Sequence, residues 1–202
     1  HYDQLWSATR RTHDLLMSMQ ARSDAHFIGW GVPPGMLGDG NHGAPPYDFF
    51  SNQGWLGING RKGIGMLWGA VDLLARQGAK ARTLVHAQVP PHVAAELLGV
   101  KPPSPRGLEW RCETVPPPGL YHLGRVAVQP SILEGLGLTL VEAMAAGAPL
   151  ITTDAPPMNE FVTPETGWLV PVKEWRARED PIAFQEAHVA PEDLARVMID
   201  AL

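Results

Sequence analysis

The chain has 202 residues, 45% of them hydrophobic and 18% charged, which excludes intrinsic disorder and allows a buried core. Its formal net charge of −5 excludes the basic surface of a nucleic-acid-binding protein, and its single cysteine, Cys112, excludes an internal disulfide bond and a cysteine-based zinc site. No apolar run reaches the roughly 18 residues of a transmembrane helix, and no signal-type hydrophobic region opens the chain. We therefore expect a cytoplasmic protein, and because no initiator Met is present we expect the chain to be a piece of a longer one.

Apolar residues alternate along the chain between helical and extended spacing. Residues 2–19 are predicted to form an amphipathic helix, residues 26–30 a short strand, and residues 31–46 a loop rich in turns. Further strands are predicted at residues 47–51, 83–87, 108–113, 126–129 and 149–153. Further helices are predicted at residues 64–74, 91–98, 119–124 and 139–146, and a last helix from Pro191.

This alternation of strands and helices predicts an α/β fold with a Rossmann-like, doubly wound parallel sheet covered on both faces. Such sheets bind their ligands at the carboxyl ends of the strands. The strand-to-helix loops are therefore where functional residues are expected.

The loop after the strand at residues 126–129 has the features of an anion site. It contains Glu134 and two glycines, Gly135 and Gly137, and leads into a helix predicted to begin near Thr139, whose hydroxyl can cap it. The free N–H groups and the dipole of a helix N-terminus favour a phosphate. Glu142 lies about one turn into that helix and could bond a hydroxyl group beside the phosphate, so two carboxylates are expected to flank one anion.

The pair Glu134-x7-Glu142, within the sequence EGLGLTLVEAMAAG, resembles the signature of retaining glycosyltransferases of family 4. These enzymes have the architecture of two Rossmann-like domains called GT-B. Residues 149–153 (PLITT) and 167–171 (GWLVP) also resemble the nucleotide-sugar-binding, C-terminal domain of that family, as does the sequence RKG at residues 61–63. The similarity covers roughly residues 29–202, and it makes the chain one half of a GT-B architecture.

The resemblance implies a role for each matching residue. Glu134 is the expected catalytic residue, beside the donor sugar, and Glu142 is expected to bond the nucleotide ribose. The leaving diphosphate is expected to be neutralised by Lys62 and Arg61. Because the family often places its arginine several residues before the lysine, this role falls first on Lys62. Backbone contacts to the sugar and diphosphate are expected from Gly135, Leu136, Gly137, Leu138 and Thr139, and residues 113–118 are expected to hold the base.

The same resemblance implies hexosyl transfer from a nucleoside-diphosphate sugar, with retention of anomeric configuration and without a metal ion or other cofactor. The sequence has no Asp-x-Asp and no histidine at metal-ligand spacing, which agrees with that expectation. Residues 1–30 are expected to end an acceptor-binding domain, and residues 31–202 to form the donor-binding domain. The expected partners are the donor and a glycan, lipid or small-molecule acceptor, with no nucleic acid, and the missing domain is compatible with peripheral membrane association.

Other functions stay open at this point. The chain could be a non-catalytic nucleotide-sugar-binding module or inactive fragment, or a phosphorylase of the same architecture. A dehydrogenase is disfavoured, because the G-x-G-x-x-G of Gly38, Gly40 and Gly43 is followed by two prolines and not by a helix.

Overall fold

The protein is described from a computed structural model, which covers residues 4–19, 24–38, 43–55, 60–98, 105–178 and 184–202. Parts of the glycine motif at Gly38–Gly43 and of the proline-rich loop predicted at residues 101–107 lie outside the described residues.

The N-terminal segment differs from the single helix predicted for residues 2–19. It forms a strand β1 (Leu5–Ser7), a helix α1 (Arg10–Ser18) and a strand β2 (Ala25–Phe27) that pairs in parallel with β1. The Thr9 side chain accepts a hydrogen bond from the N–H of Thr12, so a threonine N-cap starts the helix later than the apolar periodicity indicated. The two strands form a sheet of their own.

The central sheet has six parallel strands, as predicted for a doubly wound fold. In chain order they are β3 (Tyr47–Gly54), β4 (Thr83–Ala87), β5 (Leu108–Cys112), β6 (Gly124–Gln129), β7 (Leu150–Thr153) and β8 (Gly167–Val170). Their spatial order is β5-β4-β3-β6-β7-β8. The chain thus moves outward in one direction from β3 and in the other from β6, which makes the β3–β6 boundary the topological switch point.

Four further α-helices and a β-hairpin accompany the sheet in the described part of the chain. The helices are α2 (Ile64–Arg76), α3 (Pro91–Leu98), α4 (Leu138–Ala145) and α5 (Pro191–Asp200), and the antiparallel hairpin consists of β9 (Val172–Ala177) and β10 (Gln185–Val189). Strands β8, β9 and β10 were not predicted. The side chains of β9 are mostly exposed, so its sequence carries little apolar signal. Residues 119–124, predicted as a helix, contain only the short 3₁₀ turn Tyr121–Leu123.

Two apolar clusters pack on opposite faces of the sheet. Phe49 packs in a cluster with residues of α2 and α5, whereas the adjacent Phe50 packs in a cluster with residues of α4. Because successive side chains of a strand point to opposite faces, these two neighbouring phenylalanines pack into different clusters.

Gly63 brings the start of α2 against the end of β6. It adopts a left-handed φ of 74°, and a Cβ at this position would lie 1.9 Å from the carbonyl oxygen of Pro130. Only glycine fits this close approach.

We expect Gly63→Ala to lower the free energy of unfolding by about 2 kcal/mol or more, because both the backbone strain and the clash oppose it. Gly65→Ala is the matched control, since Gly65 lies two residues further along the chain, within α2, and a Cβ there meets nothing within 4 Å. This control should stabilise the helix by up to about 1 kcal/mol. Urea denaturation measures the free energy of unfolding of both variants. Equal stability of the two variants would contradict the requirement for glycine at position 63.

Candidate functional site

The carboxylate of Glu134 is buried at the switch point between β3 and β6. Its side chain is 4% exposed and receives hydrogen bonds from Arg61 Nη1 at 2.7 Å, Lys62 Nζ at 2.8 Å and Ser131 Oγ at 2.9 Å. Arg61 and Lys62 come from the loop after β3, and Glu134 from the loop after β6. The structure therefore joins the predicted catalytic residue directly to both predicted diphosphate-binding cations.

Backbone hydrogen bonds fix these two loops relative to each other. The N–H of Ile132 donates to the carbonyl of Arg61 at 2.9 Å, and the N–H of Ala187 in β10 donates to the carbonyl of Ile132 at 2.8 Å. The unpredicted hairpin thus supports the loop that carries Glu134. A buried charged group needs such fixed partners, because unpaired burial would cost several kcal/mol.

The environment of Glu134 acts on its pKa in two directions. Burial raises the pKa, but the charges and hydrogen bonds of Lys62 and Arg61 together outweigh burial and hold it below the ordinary value of 4.5. A carboxyl group with a depressed folded-state pKa stabilises the fold above its unfolded-state pKa, and this contribution is lost as the pH falls through the folded-state value.

We therefore expect the stability advantage of the wild type over Glu134→Gln to be constant above the ordinary pKa of 4.5 and to shrink below it. Urea denaturation of the two proteins, from about pH 3 to about pH 7, measures this difference. A difference independent of pH would show that Glu134 is not held as a carboxylate. Glu96→Gln, at an exposed position on α3, controls for general effects of acid.

Lys62 also contacts the start of α4. Its Nζ lies 2.8 Å from the hydroxyl oxygen of Thr139. The prediction that this hydroxyl caps the helix is wrong. The N-cap is Gly137, at a left-handed φ of 69°, and it makes no side-chain capping bond. The left-handed turn starts α4 at Leu138, one residue earlier than predicted, and turns the Thr139 hydroxyl towards Lys62.

A glycine N-cap leaves the first N–H groups of α4 without a side-chain acceptor. The N–H groups of Leu140 and Val141 donate hydrogen bonds to the carbonyl of Gly137. The N–H groups of Leu138 and Thr139 come before the first hydrogen bond of the helix and so have no intrahelical acceptor. Gly135 and the Leu138 side chain are exposed, and Gly137 is buried. The helix start thus offers two N–H donors beside Lys62, as an anion site requires.

Glu142 is held by a different set of residues. Its Oε2 accepts a hydrogen bond of 2.6 Å from the hydroxyl of Tyr121, and that hydroxyl accepts one of 2.8 Å from Asn52 Nδ2. Tyr121 is 3% exposed and packs edge-on against Phe50. Burial and the neighbouring charge of Glu142 raise the pKa of Tyr121 far above 10.0, so its hydroxyl stays protonated and donates.

Sequence reasoning missed Tyr121, Asn52 and Ser131 as site residues. None of them lies in the Glu134-x7-Glu142 segment, and Asn52 is separated from Tyr121 by 69 positions. Only Ser131 carried a local signal, since it lies two residues after the strand that leads into the motif.

The two glutamates line two different cavities on either side of the start of α4. Glu142 and Thr139 line a cavity of about 280 Å³, together with Asn52, Tyr121, His86 and the loop at residues 115–119. Glu134 and Gly135 line one of about 210 Å³. The hydrogen bond from Lys62 to Thr139 connects the two sides, so the carboxylates flank the helix start without sharing a cavity.

The smaller cavity is closed by the N-terminal segment and the hairpin. Thr9, Arg11 and Leu15 contribute from α1 and its cap, and Phe184 from the position just before β10. The guanidinium of Arg11 lies 5.1 Å from the centre of the Phe184 ring.

Glu160 attaches α1 to the main sheet. Its two carboxylate oxygens accept hydrogen bonds of 2.7 and 2.8 Å from the N–H groups of Arg10 and Arg11, and Arg11 Nη1 donates to the carbonyl of Pro156 at 2.6 Å. A carboxylate at a helix N-terminus is electrostatically favourable. Glu160 therefore positions α1 beside the cavity that Glu134 lines.

Among the described residues, no group of three or more His, Cys, Asp or Glu side chains could hold a metal ion. In the same part of the chain, no helix has the length and apolar character needed to cross a membrane.

A comparison with protein-family models gives a match over the segment that contains Glu134 and Glu142. A family model described as glycosyl transferases group 1 matches residues 112–186, which include Tyr121, Glu134 and Glu142. Arg61 and Lys62 lie outside the matched segment.

One curated relative and two solved structures illustrate the similarity. The chain is 38% identical over 69 residues to the lipopolysaccharide core biosynthesis mannosyltransferase LpsB of Rhizobium meliloti (strain 1021). The aligned segment covers 33% of this chain and 20% of that protein. It superposes on TarM with a TM-score of 0.70 at 14% identity, over 98% of this chain and 36% of that one. The pneumococcal O-GlcNAc transferase GtfA, solved with UDP and GlcNAc, gives a TM-score of 0.62 at 19% identity, over 98% of this chain and 37% of that one.

The chain thus has the fold of one half of a GT-B glycosyltransferase, which confirms the predicted fold class. It spans 20% of the length of the curated relative and 36% and 37% of the two solved chains. The domain boundary at residue 30 and the roles of the individual residues stay predictions.

Proposed function

We propose that the chain is the donor-binding part of a retaining glycosyltransferase, which moves a hexose from a nucleoside-diphosphate sugar to an acceptor. The observation that carries the proposal is the buried carboxylate of Glu134 between Lys62 and Arg61, beside the free N–H groups of α4. This is the switch point of the sheet, where doubly wound folds bind nucleotides. The match of residues 112–186 to glycosyl transferases group 1 supports it.

Each part of the donor has a set of groups suited to it. The diphosphate would bind to Lys62 and Arg61 and to the N–H groups of Leu138 and Thr139, and the ribose hydroxyls to Glu142. The sugar would lie beside Glu134 and the backbone of residues 135–137. The base would lie in the cavity beside Glu142, which the loop at residues 115–119 lines.

In the free protein the two cations are engaged by Glu134. A bound diphosphate would replace this carboxylate on Lys62 and Arg61 and leave it to bond the sugar. Transfer breaks the bond between the anomeric carbon and a phosphate oxygen, so positive charge develops on the sugar and negative charge on the diphosphate. The cations and the helix N-terminus would stabilise the diphosphate, and Glu134 the sugar. These fixed charges let the proposed reaction proceed without a metal ion.

The acceptor hydroxyl would attack from the face that the diphosphate leaves, which gives retention, and its proton would pass to the departing diphosphate. Retention rests on the resemblance of the Glu134-x7-Glu142 segment. Determination of the product anomer by proton NMR tests it, and an inverted product would exclude it.

A further domain would supply most of the acceptor site. Within the described residues, strands β1 and β2 form a two-stranded sheet, and in it Trp6 is 67% exposed and Phe27 40% exposed. Large apolar side chains at such exposure are expected to pack against additional protein. We propose that residues 1–30 end this acceptor-binding domain, with a glycan, lipid or small molecule as acceptor and, for a membrane-bound acceptor, peripheral association from the cytoplasm.

Isothermal titration with GDP, UDP and ADP tests donor binding. At least one of them should bind, and Glu142→Ala should weaken it roughly tenfold, because a charged hydrogen-bond acceptor for the ribose is lost. Glu165→Ala, at an exposed position, is the control and should bind like the wild type. Binding that Glu142→Ala leaves unchanged would remove Glu142 from the site.

The alternatives give different results. A non-catalytic module would bind the nucleotide sugar but release no nucleoside diphosphate from it in the presence of acceptors. A phosphorylase of the same architecture would require inorganic phosphate for turnover. Turnover without added phosphate would therefore favour the transferase.

A further inference from the structure

We propose that Glu160 is a positioning residue for the sugar of the donor, because it holds α1 as one wall of the cavity that Glu134 lines. The inference rests on the proposed function, which places the sugar beside Glu134 and gives Glu160 no part in binding it. It follows from the contacts that Glu160 and its neighbours make on two sides.

On one side, Glu160 is fixed to the element that begins the anion site. It lies in the 3₁₀ turn Met158–Phe161, which follows β7. Met158 is 1% exposed and packs in the same apolar cluster as residues of α4. The ring of Phe161 lies against the N-cap of α4, since a Cβ on Gly137 would be 3.2 Å from the Cε2 atom of that ring. The turn therefore keeps the Glu160 backbone in place relative to the start of α4.

On the other side, Glu160 binds the N-terminus of α1. The first N–H groups of a helix have no acceptor within the helix. The N–H of Thr12 donates to the Thr9 hydroxyl, and the N–H groups of Arg10 and Arg11 donate to the two carboxylate oxygens of Glu160. A carboxylate that gives one oxygen to each N–H, at the positive end of the helix dipole, favours one position of α1. Because Glu160 is exposed, we expect the contact to shift the position of α1 by a modest factor and not to be required for folding.

The cavity beside Glu134 is complete only with α1 in this position. One part of its wall comes from α1 and its N-cap, and another part comes from residues 133–135, in the loop before α4. Thr9 and Thr12 bring hydroxyl-bearing side chains to the first part. A sugar in this cavity would contact both parts, so its apparent affinity depends on the fraction of molecules in which α1 is in place.

The diphosphate of the donor does not depend on α1 in this way. Its proposed ligands belong to Arg61, Lys62, Leu138 and Thr139, and none of these residues lines the cavity beside Glu134. Loss of the Glu160 contact should therefore weaken binding of a nucleotide sugar and leave binding of the nucleoside diphosphate nearly unchanged.

Calorimetric titration of the full-length protein with three pairs of ligands tests the proposal. The pairs are UDP with UDP-glucose, GDP with GDP-mannose and ADP with ADP-glucose, and the pair whose nucleotide sugar binds most tightly is used for the variants. Glu160→Gln keeps one acceptor oxygen and should weaken the nucleotide sugar roughly fivefold, whereas Glu160→Ala keeps none and should weaken it roughly tenfold or more. Both variants should bind the diphosphate within about twofold of the wild-type affinity.

A control variant and a second measurement separate positioning from general stability. Glu96→Gln, at an exposed position on α3, should change neither affinity. In the wild type, the nucleotide sugar should slow hydrogen exchange of the α1 amides more than the diphosphate does, because the sugar contacts α1. Glu160→Ala should reduce this difference.

Contrary results identify which proposal is wrong. Equal weakening of both ligands would show a general loss of structure, and unchanged affinity for both would show that Glu160 has no part in binding. Either result would overturn the positioning role and leave the proposed function intact. If the wild type binds none of the six ligands at millimolar concentration, the proposed donor site is overturned as well.

Discussion

Replacement of Glu134 by glutamine is expected to slow glycosyl transfer strongly while it tightens binding of a nucleoside diphosphate. Glutamine keeps the shape of the side chain but removes the charge that engages Lys62 and Arg61 in the free protein. The two cations then remain available to the diphosphate, whose affinity should rise by roughly threefold or more. Transfer should fall by about 10²–10³, because the developing charge on the sugar loses its fixed partner.

Two measurements on the full-length protein check this prediction. Calorimetric titration gives the affinity for the nucleoside diphosphate that binds best, and release of that diphosphate from its nucleotide sugar gives the rate of transfer. Glu165→Gln, an exposed carboxylate outside the site, should change neither quantity. Undiminished transfer by Glu134→Gln would exclude the proposed catalytic role, and weaker diphosphate binding would exclude the competition between carboxylate and phosphate.

The second large effect is expected for Lys62→Ala, which should impair binding and stability together. The Lys62 side chain is 10% exposed and bonds both Glu134 and Thr139. Without it, Glu134 keeps only Arg61, whose side chain is 32% exposed, as a cationic partner. Removal of one partner from a buried ion pair costs about 3 kcal/mol or more of unfolding free energy. Diphosphate affinity should fall by roughly 30-fold or more, since a buried charged donor is lost.

Lys62→Arg and Lys80→Ala make this prediction specific. Arginine keeps the positive charge and should recover part of both the diphosphate affinity and the stability. Its planar guanidinium group does not reproduce the contact of the lysine Nζ with the Thr139 hydroxyl, so recovery should be incomplete. Lys80 is exposed, so Lys80→Ala should behave like the wild type. Unfolding curves show whether Lys62→Ala is folded at the temperature of the titration. A folded variant with unchanged affinity would exclude Lys62 from the diphosphate site.

Several elements could be predicted because their sequences carry strong local signals. The strand at Thr83–Ala87 and the helix at Pro91–Leu98 were predicted with the bounds that the structure has. Both are bounded by turn residues, and the strand is buried at every position. The alternation of such segments was sufficient to predict the doubly wound sheet.

Elements with weak apolar patterns could not be predicted. The hairpin formed by β9 and β10 is held mainly by cross-strand backbone bonds, and its sequence has no strong alternation. The start of α4 depended on the left-handed φ of Gly137, which a threonine capping rule does not anticipate. In both cases the backbone, more than the side-chain pattern, determines the structure.

The sequence by itself determined which residues belong to the motif, because Glu134-x7-Glu142 and its glycines lie within one short segment. Only the tertiary structure decided how those residues are paired: Lys62 reaches Glu134 across 72 positions of sequence, and Tyr121 orients Glu142 across 21. The physical reason is that a buried charge must find an opposite charge or a hydrogen bond wherever the fold brings one near. Parallel strands bring their carboxyl ends together irrespective of the distance along the chain.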